Sequence, residues 1–69
     1  MTISESLRAA RQVKSMRQRD AAEALGVSVA TVNRWETGKS EPIASQLASL
    51  SRLYGVSTEV LCGIKPLVG

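Results

Sequence analysis

The chain has no Phe and no His, and only one Cys, one Trp and one Tyr. With a single cysteine, no disulfide can close within the chain. Without histidine, a structural zinc site of the usual kind lacks ligands. No metal and no cofactor are therefore expected. No nucleophile stands beside a base, and there is no phosphate-binding loop, so an enzyme is not expected either. Asp20 and Glu23 form an exposed acidic pair rather than an acid–base dyad. Aromatic residues make up 3% of the chain, which leaves a core to Ala, Leu and Val. Ala and Leu favour helices. No apolar run approaches the roughly 20 residues that span a bilayer. The opening "MTISESLRAAR" lacks the basic start and apolar middle of an export signal. No membrane partner and a cytoplasmic location are expected.

What remains is a small basic chain. Its 69 residues suffice for one domain with a thin core. The formal charge is +3, and its placement matters more than its size. Arg8, Arg11, Lys14, Arg17, Arg19, Arg34 and Lys39 are set against Glu5, Asp20, Glu23 and Glu36 within residues 1–40. Beyond residue 40, Arg52 and Lys65 balance Glu41 and Glu59. An excess of this size is common on small domains, but all of it sits in the first part, which favours a polyanion partner.

Helix signals punctuate the chain. Thr2 and Glu5 have capping-box spacing, so a helix is expected from Ile3 to about Val13–Ser15. Ile3, Leu7, Ala10 and either Val13 or the stem of Lys14 make its apolar stripe. A second helix fits residues 18–25, with Ala21, Ala22 and Leu25 inward. Gly26 suits the positive φ by which a chain leaves a helix. Ser28 then caps a third helix over residues 29–36, and Gly38 stops it. Pro42 suits the first turn of a fourth helix over residues 43–54, with Ile43, Leu47, Leu50 and Leu53 inward. Gly55 closes that helix, and Ser57 caps a short fifth one ending before Gly63. Cys62 is expected to be half-buried. There are no alternating strand patterns and no repeats. The expected fold is all-α, with a domain over residues 1–63 and a short tail over residues 64–69.

The stretch "LGVSVATVNRWETG" raises the functional question. Helical spacing turns Val32 and Trp35 inward, which leaves Val29, Ala30, Asn33 and Arg34 outward. Helix stability does not require that outward mixture of small apolar, amide and guanidinium groups. Ala22 is small where the third helix must cross closely, and Gly26 permits the sharp turn between the two helices. Two short helices so joined make a helix-turn-helix.

Residues 18–35 resemble the helix-turn-helix of the phage repressor and Cro-like (Xre-type) DNA-binding family. "LRAAR", "LGVS", "WETG", Pro42 and "LYGVSTEVL" match its flanks in order and spacing, so the resemblance covers nearly the whole chain. It implies a five-helix, lambda-repressor-like domain whose third helix enters the major groove of double-stranded DNA. Val29, Ala30, Asn33 and Arg34 are the implied base contacts. Arg34 can donate twice to guanine, Asn33 can pair with adenine, and the two small residues can pack on thymine methyls. Gln18, Ser28, Thr31, Lys39, Ser40, Arg11 and Arg17 are the implied phosphate contacts. Arg11 and Glu36 occupy positions that relatives pair across the first and third helices. Three positions depart from the pattern. Arg17 stands where relatives place a capping Ser, Thr or Asn, and Ala10 and Ala21 stand where they often place Leu.

One such domain makes few base contacts, so a homodimer on a near-palindromic operator is expected, acting as a transcriptional repressor. No small-molecule ligand is expected. Leu61, Ile64, Leu67 and Val68 are expected to supply an apolar surface for protein contact. The alternative is an antitoxin-type or accessory protein-interaction module on the same fold. The charge concentrated around the third helix argues for DNA.

Overall fold

Thr2 opens helix α1 (Ile3–Val13) with both halves of a capping box. Its hydroxyl accepts from the Glu5 N–H, and the Glu5 carboxylate accepts from the Thr2 N–H at 2.8 Å. Four more helices follow: α2 (Gln18–Leu25), α3 (Val29–Thr37), α4 (Ala44–Tyr54) and α5 (Thr58–Leu61). The computed structural model describes residues 1–65, and no strand occurs among them. The fold is the expected all-α, five-helix one.

The core is aliphatic except at two places. Leu7, Ala10, Ala21, Ala22, Val32, Leu50 and Leu61 surround Trp35 and Tyr54. Helix α3 packs on α1 and α2, while α5 closes the far side against α1 and α4. Alanines at 10, 21 and 22 let the helices of this small domain approach closely, because burial of larger groups there would force them apart.

Helix ends follow local chemistry. Gly26 lies at φ +69°, the left-handed region that costs other residues about 1–2 kcal/mol. A Cβ there would meet nothing within 4 Å, so backbone conformation and not space calls for glycine. The turn after α1 reaches the same region with Ser15, at φ 55°. Arg11 compensates by clamping the following residue twice. Its carbonyl accepts from the Met16 N–H, and its Nη1 donates to the Met16 carbonyl at 2.8 Å.

Four expectations need correction. Ile43 is not an inward residue of α4: it is the cap, 64% exposed, and the helix starts at Ala44. The Gln46 side chain accepts from the Ile43 N–H at 2.9 Å, which delays the first turn by one residue and leaves Pro42 outside it. Val13 is exposed at the last turn of α1. Its alternative, Lys14, is exposed as well, and its side chain lies over Gly55, with Cε 3.7 Å from where a Cβ there would stand. Leu61 belongs to the core rather than to an outer apolar surface, since α5 packs between α1 and α4. Cys62 is exposed, having just left that short helix. Ile64 is exposed as expected. Leu67, Val68 and most of the tail lie outside the described residues.

Candidate nucleic-acid interface

Ser28 caps α3 by accepting from the Thr31 N–H at 3.1 Å. The two hydroxyls also meet at 2.9 Å. From this fixed start the helix turns Val32, Trp35 and Glu36 into the protein. The opposite face carries Val29, Ala30, Asn33 and Arg34, all exposed. The Arg34 Nη2 donates to Thr31 Oγ1 at 3.2 Å, which lays the guanidinium back along the helix toward its start. The Asn33 side-chain amide has no hydrogen-bond partner among the described residues, and the backbone carbonyl of Asn33 accepts from the Thr37 hydroxyl at 2.9 Å. At the other end, Gly38 takes φ +79° and the N–H groups of Gly38 and Lys39 point to the Arg34 carbonyl. Lys39 and Ser40 are exposed just past that turn.

Glu36 fixes the helix to its surroundings. It is 2% exposed, and its carboxylate accepts three hydrogen bonds. Arg11 gives two of them in a fork, Nε to Oε2 at 2.8 Å and Nη2 to Oε1 at 2.9 Å. Gln18 Nε2 gives the third, to Oε1 at 3.1 Å. Arg8 adds a fourth anchor, Nη2 to the Glu36 carbonyl at 2.9 Å. Helices α1, α2 and α3 therefore meet at one residue. A forked guanidinium–carboxylate pair fixes direction as well as distance. The carboxylate raises the Arg11 pKa through that hydrogen bond, so the arginine stays charged. Tyr54 lies within reach of the same charges. Burial pushes its pKa up to about 12, and the Glu36 charge adds to the effect. Its hydroxyl is buried without a partner among the described residues.

These bonds redistribute the expected roles. Gln18 donates from its side-chain amide to Glu36, and its backbone N–H, in the first turn of α2, is one that the helix itself leaves unbonded. Arg11 commits three donors inside the protein, two to Glu36 and one to Met16, and with its side chain 13% exposed it acts first as a strut. Arg17 does not cap α2 with its side chain. Asp20 supplies the cap by accepting from the Arg17 N–H at 2.9 Å, and it also holds the guanidinium. The acidic pair at Asp20 and Glu23 is thus divided, with Asp20 at the helix start.

Sequence reasoning missed Arg8, the Gln18–Glu36 bond and the capping carboxylate. Two of the three left a trace. Arg8 lies three residues before Arg11, on the same side of α1. Asp20 stands three residues after Arg17, the spacing of a reciprocal cap.

The geometry is thus a short helix, rigidly seated from behind, with a mixed polar and apolar face in front. The family model described as "Helix-turn-helix" matches residues 7–61. The chain belongs to this helix-turn-helix family. Relatives within it agree in length of match. The HTH-type transcriptional regulator ImmR of Bacillus subtilis (strain 168) is 35% identical over 91% of this chain and 50% of its own length. The HTH-type transcriptional regulator DicA of Escherichia coli (strain K12) is 39% identical over 91% of this chain and 47% of its own. The HTH-type transcriptional activator BcrR of Enterococcus faecalis is 31% identical over 99% of this chain and 33% of its own. The chain therefore spans about half the length of ImmR and DicA, and about a third of BcrR. Among solved structures, the P22 c2 repressor in complex with a synthetic operator superposes with a TM-score of 0.84. The two are 30% identical, and the match covers 88% of this chain and 92% of that one. No helix among the described residues is long and apolar enough to cross a membrane.

Proposed function

We propose that this helix-turn-helix protein is a DNA-binding regulator of transcription that reads sequence through α3. One observation carries the reading. Helix α3 is pinned from behind at Glu36 and Trp35, while Val29, Ala30, Asn33 and Arg34 stand exposed in front. A rigid helix with such a face fits the major groove of B-DNA, where amides and guanidinium groups meet base edges and small apolar groups meet thymine methyls. The repressor–operator complex of the P22 c2 protein, on the same fold, supports it.

In this reading Arg34 and Asn33 carry hydrogen-bonded readout. Arg34 leaves only a single exposed hydroxyl contact to do so. Val29, 43% exposed, and Ala30 supply apolar contact. Ser28, Thr31, Lys39, Ser40 and the start of α2 set register on the phosphates, which position a protein without specifying sequence. Two copies bind a near-palindromic site, with half-sites about one helical turn apart, roughly 34–36 Å. Bound there, the protein represses by occupying the site. It acts in the cytoplasm on nucleoid DNA, and the reading assigns it no cofactor, metal, small-molecule ligand or catalytic step.

Selection of binding sites from random duplexes at fixed salt tests this directly. The parent protein should enrich a two-fold-related sequence. Arg34→Ala should relax one symmetric base position and weaken the selected site by about 1–3 kcal/mol, the worth of one bidentate pair. Enrichment of no sequence by the parent protein would overturn the reading.

A further inference from the structure

Arg17 is an implied phosphate contact on the surface whose charge is already paired, as that of Arg11 is paired inside the protein. Its Nε lies 3.1 Å from Asp20 Oδ2 and its Nη2 3.3 Å from Oδ1, while its backbone N–H reaches Oδ2 at 2.9 Å. Both side chains are on the surface, 70% and 35% exposed, so the pair is a surface device and not part of the core. Lys39, by contrast, stands exposed just past the end of α3 with no ion pair among the described residues. The Arg17 guanidinium holds the Asp20 carboxyl below the usual range, so it is charged wherever DNA binding is measured near neutral pH.

We propose that Asp20 holds down the sequence-independent DNA affinity of this protein by engaging Arg17 and repelling the phosphate that Arg17 would otherwise meet. The proposal rests on the DNA reading given above. Two effects act in the same direction. The forked bond occupies the guanidinium edge that a phosphate would use. The carboxylate also places a negative charge at the start of α2, where helix N–H groups would favour an anion. An exposed pair of this kind is weak and opens readily, so it tunes the affinity without blocking the site. Binding then leans on the base contacts of α3 rather than on a charge that every DNA sequence satisfies equally.

The test is the salt dependence of binding to a random-sequence duplex, measured for the parent protein, Asp20→Asn and Glu23→Gln. Asn keeps an acceptor for the Arg17 N–H, and circular dichroism of each variant checks that the helices are kept. Asp20→Ser, with a hydroxyl acceptor, serves as a second form. Freeing one arginine for one phosphate should steepen the slope of log K against log salt by about 0.9. The affinity advantage of Asp20→Asn over the parent should therefore grow about threefold between 200 and 50 mM salt. Glu23→Gln changes the net charge equally on the same helix without releasing a hydrogen-bonded arginine, and its slope should match that of the parent. Adding Arg17→Gln to Asp20→Asn should remove the gain. An unchanged slope in both Asp20 variants overturns the proposal, as does an equal steepening by Glu23→Gln, which would make net charge the cause. Absence of salt-dependent duplex binding in every protein, the parent included, overturns the DNA reading itself.

Discussion

Replacing Glu36 with Gln is expected to cost about 3–5 kcal/mol of folding stability, the usual penalty for leaving one partner of a buried ion pair behind. The structure explains why relaxation cannot absorb much of it. Arg11 cannot turn to water without abandoning the Met16 carbonyl, and that bond secures the Ser15 turn with its positive φ. Gln18 would also face an amide in place of a carboxylate at Oε1. Since a domain of this size holds only about 3–10 kcal/mol in total, the variant should be largely unfolded in modest urea. Urea titration followed by Trp35 fluorescence measures it. Removing both charges together, as Arg11→Met with Glu36→Leu, should recover much of the loss, because no uncompensated charge remains. A single-variant cost below about 1 kcal/mol would show that the pair does not seat α3.

Truncation of Trp35 to Ala should cost a similar amount, about 3–5 kcal/mol, through a different cause. The indole is 3% exposed and is the largest side chain in the core. One edge borders a shallow recess lined by Leu25, Val27, Ser45, Gln46 and Ser49, so it joins α3 to the turn after α2 and to α4. A cavity there cannot be filled by neighbours held on α2, the turn after it and α4. Thermal melting followed by circular dichroism measures the loss. Asn33→Ala, on the exposed face two residues earlier, should stay within about 0.5 kcal/mol in the same experiment. Equal costs at the two positions would contradict the assignment of inner and outer faces.

Much of the architecture is readable because short-range chemistry decides it. Thr2 with Glu5, Ser28 and Ser57 mark helix starts through side-chain acceptors within three residues. Gly26, Gly38 and Gly55 mark stops through backbone conformation. Spacing alone places Val32 and Trp35 inward, and the outer face of α3 follows from that. The misplacements have equally local causes. Ile43 looked like a core residue because its capping partner, Gln46, is not a residue type that marks a helix start by itself. Leu61 looked like surface because a four-residue helix carries too few positions for a periodic stripe.

The candidate interface is legible in a different proportion. Its exposed residues follow from helix geometry, and the Arg11–Glu36 link came with the family resemblance. The fuller network did not. Arg8, Arg11 and Gln18 converge on Glu36 from two helices, across separations of 18 to 28 residues. No pattern along one element encodes such a meeting. Its effect is to hold the back of α3 so that the front can be read against a fixed partner.

The most direct test of that claim is an NMR titration of the folded protein with the duplex enriched by selection, following each backbone amide. The largest shift changes should fall on residues 28–34, on Lys39 and Ser40, and at the start of α2. Amides of α5 should move little. Changes centred on α5 or on the recess beside Ser45 and Ser49, with α3 unmoved, would contradict the account.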